Sequence, residues 1–385
     1  MSGAPPPLGE PREIVYKRPM RRRLRLVACL ALVISAACRV HSLPETTPGA
    51  GPIASATGSP SAAASSVAAT TVREAPLPSG SGPASFDFIT YEPARARVWI
   101  PSARDVGAVD VYDVAKGTFT RIGGFPITAQ EVDGKKRLAG PSSAAIGDGV
   151  VYVGNRSTSE VCPIDAATLV VGACFKLSQR IDAVVYVPSV KEVWVTTPND
   201  RAITVLDASK PAALQAKTVI SVDGAPEGWA VDESRGLFFT NLEDANRTLV
   251  IDLKSHAVKA SFAAGCNADG PRGLGIDPTA SRLFLACTDR VRVLDLGHDE
   301  ALVSELDPGA GVDNVDYLPA RRLLYVAAGK AGRLTVAHLD DDGRLTSVAS
   351  TVTAARARNA VADPSGTAYL IDPAAPRLLI VAPPP

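Results

Sequence analysis

At seven places in this 385-residue chain a polar side chain stands four residues ahead of a recurring anchor: Asp87, Ser142, Asp182, Glu227, Arg272, Asp313 and Arg358. Two residues closer to the anchor the chain switches to Ile89, Ala144, Val184, Trp229, Leu274, Val315 and Ala360, all apolar. Brought to one place, four carboxylates, two guanidiniums and a hydroxyl have three chemistries open to them. Opposite charges can neutralise each other, with Glu227 against Arg272 and Asp313 against Arg358. Arg272 and Arg358 can instead grip an anion through their planar donors. Asp87, Asp182, Glu227 and Asp313 can hold a hard divalent cation such as Ca²⁺, which takes several oxygen ligands.

Nothing else in the chain reads as a catalytic constellation. His41, His256, His298 and His338 fall far from those seven positions, which argues against a histidine metal centre or triad. There is no glycine-rich phosphate loop and no G-x-S-x-G turn. Asn155 and Asn246 begin glycosylation sequons that read as coincidences of sequence. No catalytic residue and no cofactor beyond such a cation is therefore predicted.

The elements that must position the seven residues are legible as a repeat. The phrases ITYEPARARVWI, AAIGDGVVYVG, VVYVPSVKEVWV, AVDESRGLFFT, GIDPTASRLFLA, DYLPARRLLYVA and AVADPSGTAYLID each give a β-rich run, a turn and a second apolar run. Their anchors are Tyr91, Ile146, Tyr186, Val231, Ile276, Tyr317 and Ala362, at steps of 55, 40, 45, 45, 41 and 45 residues. A period of about 40 to 50 residues with several strands per unit marks a β-propeller. The expected fold is all-β, seven-bladed, with four-stranded antiparallel blades.

In the fourth unit the strands read Gly228–Val231, Leu237–Thr240, Thr248–Asp252 and Val258–Phe262, rich in β-branched and aromatic residues and separated by turn formers. Asp113, Asp165, Asp207, Asp252 and Asp295 end third strands, where a carboxylate can accept backbone N–H groups of the next turn. The last copy leaves room for strands B and C but not D, and an open ring would expose unpaired edges. The stretch from Val67 to Glu74 reads as the missing strand, expected to pair with Arg377 to Ala382. The first unit is long through an insertion around Gln130 to Gly140.

Bulk properties narrow the rest. With 46% hydrophobic residues the chain can bury a large core, and the repeats make residues 67–385 one domain. Forty Lys and Arg balance forty Asp and Glu, so no basic field draws in nucleic acid. From Met20, the expected true start, Arg21 to Arg25 form a basic region, Leu26 to Ile34 an apolar one, and small residues precede Cys38. Residues 1–38 thus read as an extension and an export signal, too short in its apolar part for a spanning helix of about 20 residues. Ser35-Ala36-Ala37-Cys38 resembles a bacterial lipobox, in which Cys38 would be lipidated; the alternative is ordinary cleavage after Ala37. Residues 39–66, rich in Ser, Ala, Thr, Gly and Pro, then read as a flexible tether.

Export makes disulfides the default for the other four cysteines. Cys162 lies in a strand ending at Asp165 and Cys174 in the next, with a turn near Ala167 between them, so a cross-strand bond within one hairpin is expected; Cys266 and Cys287 bracket the first two strands of a later blade. Each bond would close a short loop, worth about 3 kcal/mol.

The phrase PEGWAVDESRGLFFTNLEDANRTLVID resembles the repeat of YVTN-type, YncE-like bacterial propellers, best from Pro226 to Asp295, where GCNADGPRGLGIDPTASRLFLAC resembles their paired-cysteine blade. The resemblance implies an exported binding or scaffolding protein without a shared catalytic constellation. The expectation is a monomeric, lipid-anchored, non-catalytic module of the bacterial cell envelope, binding a small polar ligand or an envelope protein. Two alternatives stay open. One is a lactonase-like hydrolase with a cation held by Glu227, Asp313 and Asn314 and with Asp182 as base, although two arginines raise the cost of a dication there. The other is a purely structural module docking through loops such as those of Asn199 and Glu243.

Overall fold

The computed structural model describes residues 68–78, 84–132 and 135–385; the signal, Cys38 and the tether lie outside them. Seven four-stranded antiparallel sheets succeed one another around a ring, with a separate two-stranded hairpin between the first and second. Neighbouring blades meet through their inner strands, A against A at most junctions and strand B of blade three against strand A of blade four, and blade seven in turn meets blade one. These inner strands are Thr90–Glu92, Pro141–Gly147, Val184–Val187, Pro226–Asp232, Pro271–Asp277, Val312–Leu318 and Ala360–Ala362. The fourth blade runs Pro226–Asp232, Leu237–Leu242, Arg247–Asp252 and Val258–Ala263, within one or two residues of the sequence reading.

The alternation of side chains along each strand gives a blade two apolar faces, and each packs on a neighbour. The core accordingly falls into seven clusters, one per blade interface. Trp99 and Val109 meet Val151 and Val153 between blades one and two, Trp194 and Ile203 meet Phe238 and Leu249 between three and four, and Tyr112 and Ile100 meet Tyr369 and Ile380 between one and seven. No single centre carries the fold. Stability is distributed around the ring, in nearest-neighbour contacts.

The aspartates at the ends of third strands behave as their position implies. Asp113 accepts from Lys116 N, Asp165 from Ala167 N and Thr168 N, Asp207 from Ser209 N, Asp252 from Lys254 N and Ser255 N, and Asp295 from Gly297 N. Cys162 is bonded to Cys174 and Cys266 to Cys287. Among the described residues, no helix is long and apolar enough to cross a membrane.

The N-terminal segment lies a little differently from the sequence reading. The strand alongside Arg377–Val381 is Val72–Pro76, with Val72 opposite Val381 and Pro76 opposite Arg377. Residues before it run along the outer strand of blade six instead, where Ser350 N donates to Ala68 O at 2.9 Å and the Thr70 and Thr351 hydroxyls meet at 2.7 Å.

Candidate functional site

All seven candidate residues sit where strand A enters the ring, but not by simple alternation. The A–B pairing shifts register between Pro141 and Ser143, Glu227 and Trp229, Pro271 and Leu274, and Val312 and Val315. A β-bulge at each place breaks the two-residue parity and re-aims the side chains there. Ser142, Arg272 and Asp313 lie within such bulges and Glu227 at the edge of one. Gly228 shows what the bulge demands: its φ is +66°, and an added Cβ would stand 2.6 Å from Arg272 O and from Gly273 Cα of the next blade. Asn241, buried at the end of the neighbouring strand, clamps that next bulge through Nδ2 to Arg272 O at 2.5 Å.

Below the mouth the channel narrows on an aromatic contact across the ring. Phe88 of blade one and Trp229 of blade four have ring centroids 4.8 Å apart. Above it opens a cavity of about 1160 Å³, lined by Asp87, Ser142, Arg272, Asp313 and Arg358 among others. Asp182 and Glu227 act on the same charges from just outside this lining.

The residue that organises the floor is one the sequence reading passed over. Arg156, directly after strand B of blade two, donates Nη2 to both Asp87 Oδ2 and Asp182 Oδ1. Arg358 joins Asp87 Oδ1 and Asp313 Oδ2, each at 3.3 Å. The Asp313–Arg358 pair is thus as the sequence suggests, whereas the Glu227–Arg272 pair is not. Arg272 instead pairs with the Glu243 carboxylate. Neither Arg272 nor Arg358 is therefore a free anion grip. Arg156 carries the same signal as its neighbours, a polar side chain ending an apolar strand, but on strand B rather than strand A.

Burial and crowding shift the acids upward. Glu227 has no cation within ion-pair distance among the described residues; burial first, then the Asp182, Asp313 and Asp87 charges, push its carboxyl well above the usual range. Burial raises Asp182 although Arg156 opposes it, and burial raises Asp313 to about 6 against the pull of Arg358. Burial alone would lower the Arg156 guanidinium, and Asp182 and Asp87 more than reverse that.

Asp316, further down strand A of blade six, gives the clearest pH prediction. Its carboxylate accepts Ala362 N at 2.7 Å, and burial pushes it up to about 6 against that bond. A carboxyl raised in the folded state makes the fold bind protons more tightly than the unfolded chain. It therefore withdraws stability as pH rises from its ordinary value near 4 to about 6. Asp316→Asn keeps the acceptor without the charge, so urea unfolding should show a gain of about 3 kcal/mol at neutral pH and less than about 1 near pH 4. Equal gains at both pH values would contradict the assignment.

The four carboxyls do not form a nest of oxygens around one point. The Arg156 guanidinium stands between Asp87 and Asp182, and that of Arg358 between Asp87 and Asp313. Asn314, the remaining residue of the lactonase-like alternative, packs against Gly273 of blade five. Among the described residues, the group of three ligand-type side chains close enough to share an ion is Glu160, Cys162 and Cys174, and its two sulfurs are bonded to each other.

The rim, where Asp269 also lies, carries more cations than the floor. Arg137, Arg180, Lys330 and Arg356 line the same cavity, and among the described residues no carboxylate lies within ion-pair distance of any of them. Arg137 comes from the inserted hairpin, Thr128–Val132 and Lys135–Ala139, so the insertion forms part of the wall. Burial, then the neighbouring Arg156, lowers the Arg180 guanidinium, against the pull of Asp182.

No protein-family model matches the chain, and no curated protein does. Solved structures do. The RRP9 WD40 repeats superpose with a TM-score of 0.66 at 10% identity over 82% of this chain and 99% of that one. The virginiamycin B lyase of Staphylococcus aureus gives 0.62 at 12% identity, over 81% and 99%. The hydrazine synthase of Kuenenia stuttgartiensis gives 0.63 at 15%, over 80% and 97%. The likeness is one of fold. A seven-bladed propeller is shared by proteins of unrelated activity, so what this one does rests on its own mouth.

Proposed function

We propose that the chain is a non-catalytic binding module whose channel mouth takes a small anionic ligand. The observation that carries this is the set of rim cations, Arg137, Arg180, Lys330 and Arg356, facing one cavity without carboxylate partners among the described residues. Like charges gathered around a concave, partly desolvated site attract an anion and gain charge-assisted hydrogen bonds from it. On the floor, Asp87, Asp182 and Asp313 are occupied in holding Arg156 and Arg358, and Glu227 stands without a cation partner among the described residues. Acidic side chains of an envelope protein would be recognised by the same rim.

The setting belongs to the same proposal. Two disulfides suit an oxidising compartment. The sequence before the ring reads as an export signal, a lipidated Cys38 and a tether over 39–66, and the repeat phrase resembles that of YVTN-type propellers. Together these support an exported, membrane-tethered binder.

The test is calorimetric titration of ethyl phosphate into the full chain and into the Arg180→Ala/Arg356→Ala double variant at low ionic strength. Each charge-assisted bond is worth about 1.5 to 3 kcal/mol, so the double variant should bind at least about tenfold more weakly at unchanged thermal stability. Raising the salt should weaken binding to the unaltered chain. Unchanged affinity in the double variant would contradict the reading.

A further inference from the structure

Six residues ahead of each repeat anchor the chain returns to one place in the blade, just before strand A. Five blades put a small residue there, Ser85, Gly140, Ala225, Gly270 and Gly311, and two put an arginine, Arg180 in blade three and Arg356 in blade seven. Both arginines line the mouth cavity, and so do Ser85, Gly140 and Gly311, which shows that the position itself faces it. Blades three and seven are three steps apart one way round and four the other, as far apart as a ring of seven allows.

Arg356 stands there against the preference of its backbone. Its φ is +69°, and at the matching place Gly270 has +76° and Gly311 +85°. Blade seven thus carries a long charged side chain where two other blades use the residue suited to the left-handed region. Such an outlier in a cavity wall points to function rather than to folding.

Each arginine has a second cation on its side of the ring. Arg356 N donates to Gly329 O at 2.7 Å, which seats it against the loop that carries Lys330. On the other side, the hairpin that carries Arg137 leads into Gly140, whose carbonyl accepts Arg156 N at 2.9 Å, and the Arg156 charge acts in turn on Arg180. The charges between these two places are engaged with one another. Asp87 holds Arg156 and Arg358, Asp313 holds Arg358, and Arg272 pairs with Glu243. Asp182 pulls on Arg180 but is bonded to Arg156. An entering anion therefore finds unpaired donors at two separate places, and a cavity of about 1160 Å³ has room for a body that joins two such groups.

We propose that the site takes a ligand with two anionic groups, phosphate or carboxylate, one held by Arg180 with Arg137 and the other by Arg356 with Lys330, joined by a linker that spans the cavity. This rests on the anion-binding reading and narrows it to two-ended anions. Joining the ends makes the second contact intramolecular, so affinity depends on whether the linker reaches.

The test titrates α,ω-alkanediol bisphosphates of two to ten methylenes, and ethyl phosphate, into the full chain at neutral pH and low ionic strength. One length should bind best, about a hundredfold tighter than ethyl phosphate, whereas the two-methylene member, with the same charge on a shorter body, should stay within a few-fold of it. Arg180→Ala and Arg356→Gly should each bring the best bisphosphate down to near the level of ethyl phosphate. Arg356→Gly should do so with an unfolding midpoint that holds or rises, because glycine accepts φ +69°. Equal binding at every length overturns this proposal and leaves the anion-binding reading in place. A length preference that survives either substitution overturns the assignment of the two ends. If no phosphate binds, both proposals fail.

Discussion

Arg156→Met should be among the most damaging single substitutions in this chain, costing about 3 to 5 kcal/mol at neutral pH and lowering the unfolding midpoint by on the order of 10 °C. The reason is what stays behind. Asp87 and Asp182 would lose the guanidinium that both share, in a cluster where burial already raises Asp182, Glu227 and Asp313. Arg358 could serve only Asp87 and Asp313, and it reaches each at 3.3 Å. The deficit should shrink as the pH falls, because the Asp182 carboxyl, already raised by burial, takes up a proton more readily in the folded state than in the unfolded chain. Removing the acids as well, in the Asp87→Asn/Asp182→Asn/Arg156→Met variant, should recover most of the lost stability. Chemical unfolding at two pH values reads both effects. A loss independent of pH would mean that packing of the arginine stem, not compensation of charge, is what Arg156 supplies.

The second large effect should come from a single methyl group. Gly228→Ala must accept φ +66° and also place Cβ 2.6 Å from the backbone of Arg272 and Gly273, so blade five has to move away from blade four. Strain in the left-handed region costs about 1 to 2 kcal/mol, and forced repacking adds about 1 to 3. Gly236 supplies the control within the same blade. Its φ is +67°, yet nothing lies within 4 Å of a Cβ built there, so Gly236→Ala should cost only the backbone strain. Denaturant titration of the two variants should separate them by about 1 to 3 kcal/mol. If the two cost the same, the close approach of the A strands at the mouth is not what fixes Arg272.

The architecture was open to sequence reasoning because a propeller is written in local signals. A strand such as Leu237–Leu242 is an apolar run between turn formers, and Asp252 ending the next strand binds the amides two and three residues on. Nothing in either needs a distant partner. The same holds for the cysteine pairs, separated by 12 and 21 residues. Repetition at a fixed step then turns seven local readings into one ring.

The candidate site was legible only in part. Five of its seven positions, Asp87, Ser142, Arg272, Asp313 and Arg358, line one cavity, and the Asp313–Arg358 pair is formed. Arg272 could not be assigned to Glu243, because bulges in the A strands disrupt the two-residue parity on which the reading relied. Arg156 was missed because its importance lies in two carboxylates 69 and 26 residues away, and the same run of letters in isolation reads as an ordinary strand end. Arg137 escaped notice because an insertion has no repeat to mark its place.

What the sequence by itself determined is thus the period, the strands, the turns and the ring of polar positions at the mouth. The tertiary structure decided which charges meet and which, among the described residues, stay unpaired on the rim. The division has a physical cause. Strands and turns are set by forces between residues a few positions apart, which a repeat prints in the letters. Charge pairing across a channel is set by distances of a few ångströms between residues as far apart as Asp87 and Arg358, and those distances exist only once the ring has formed.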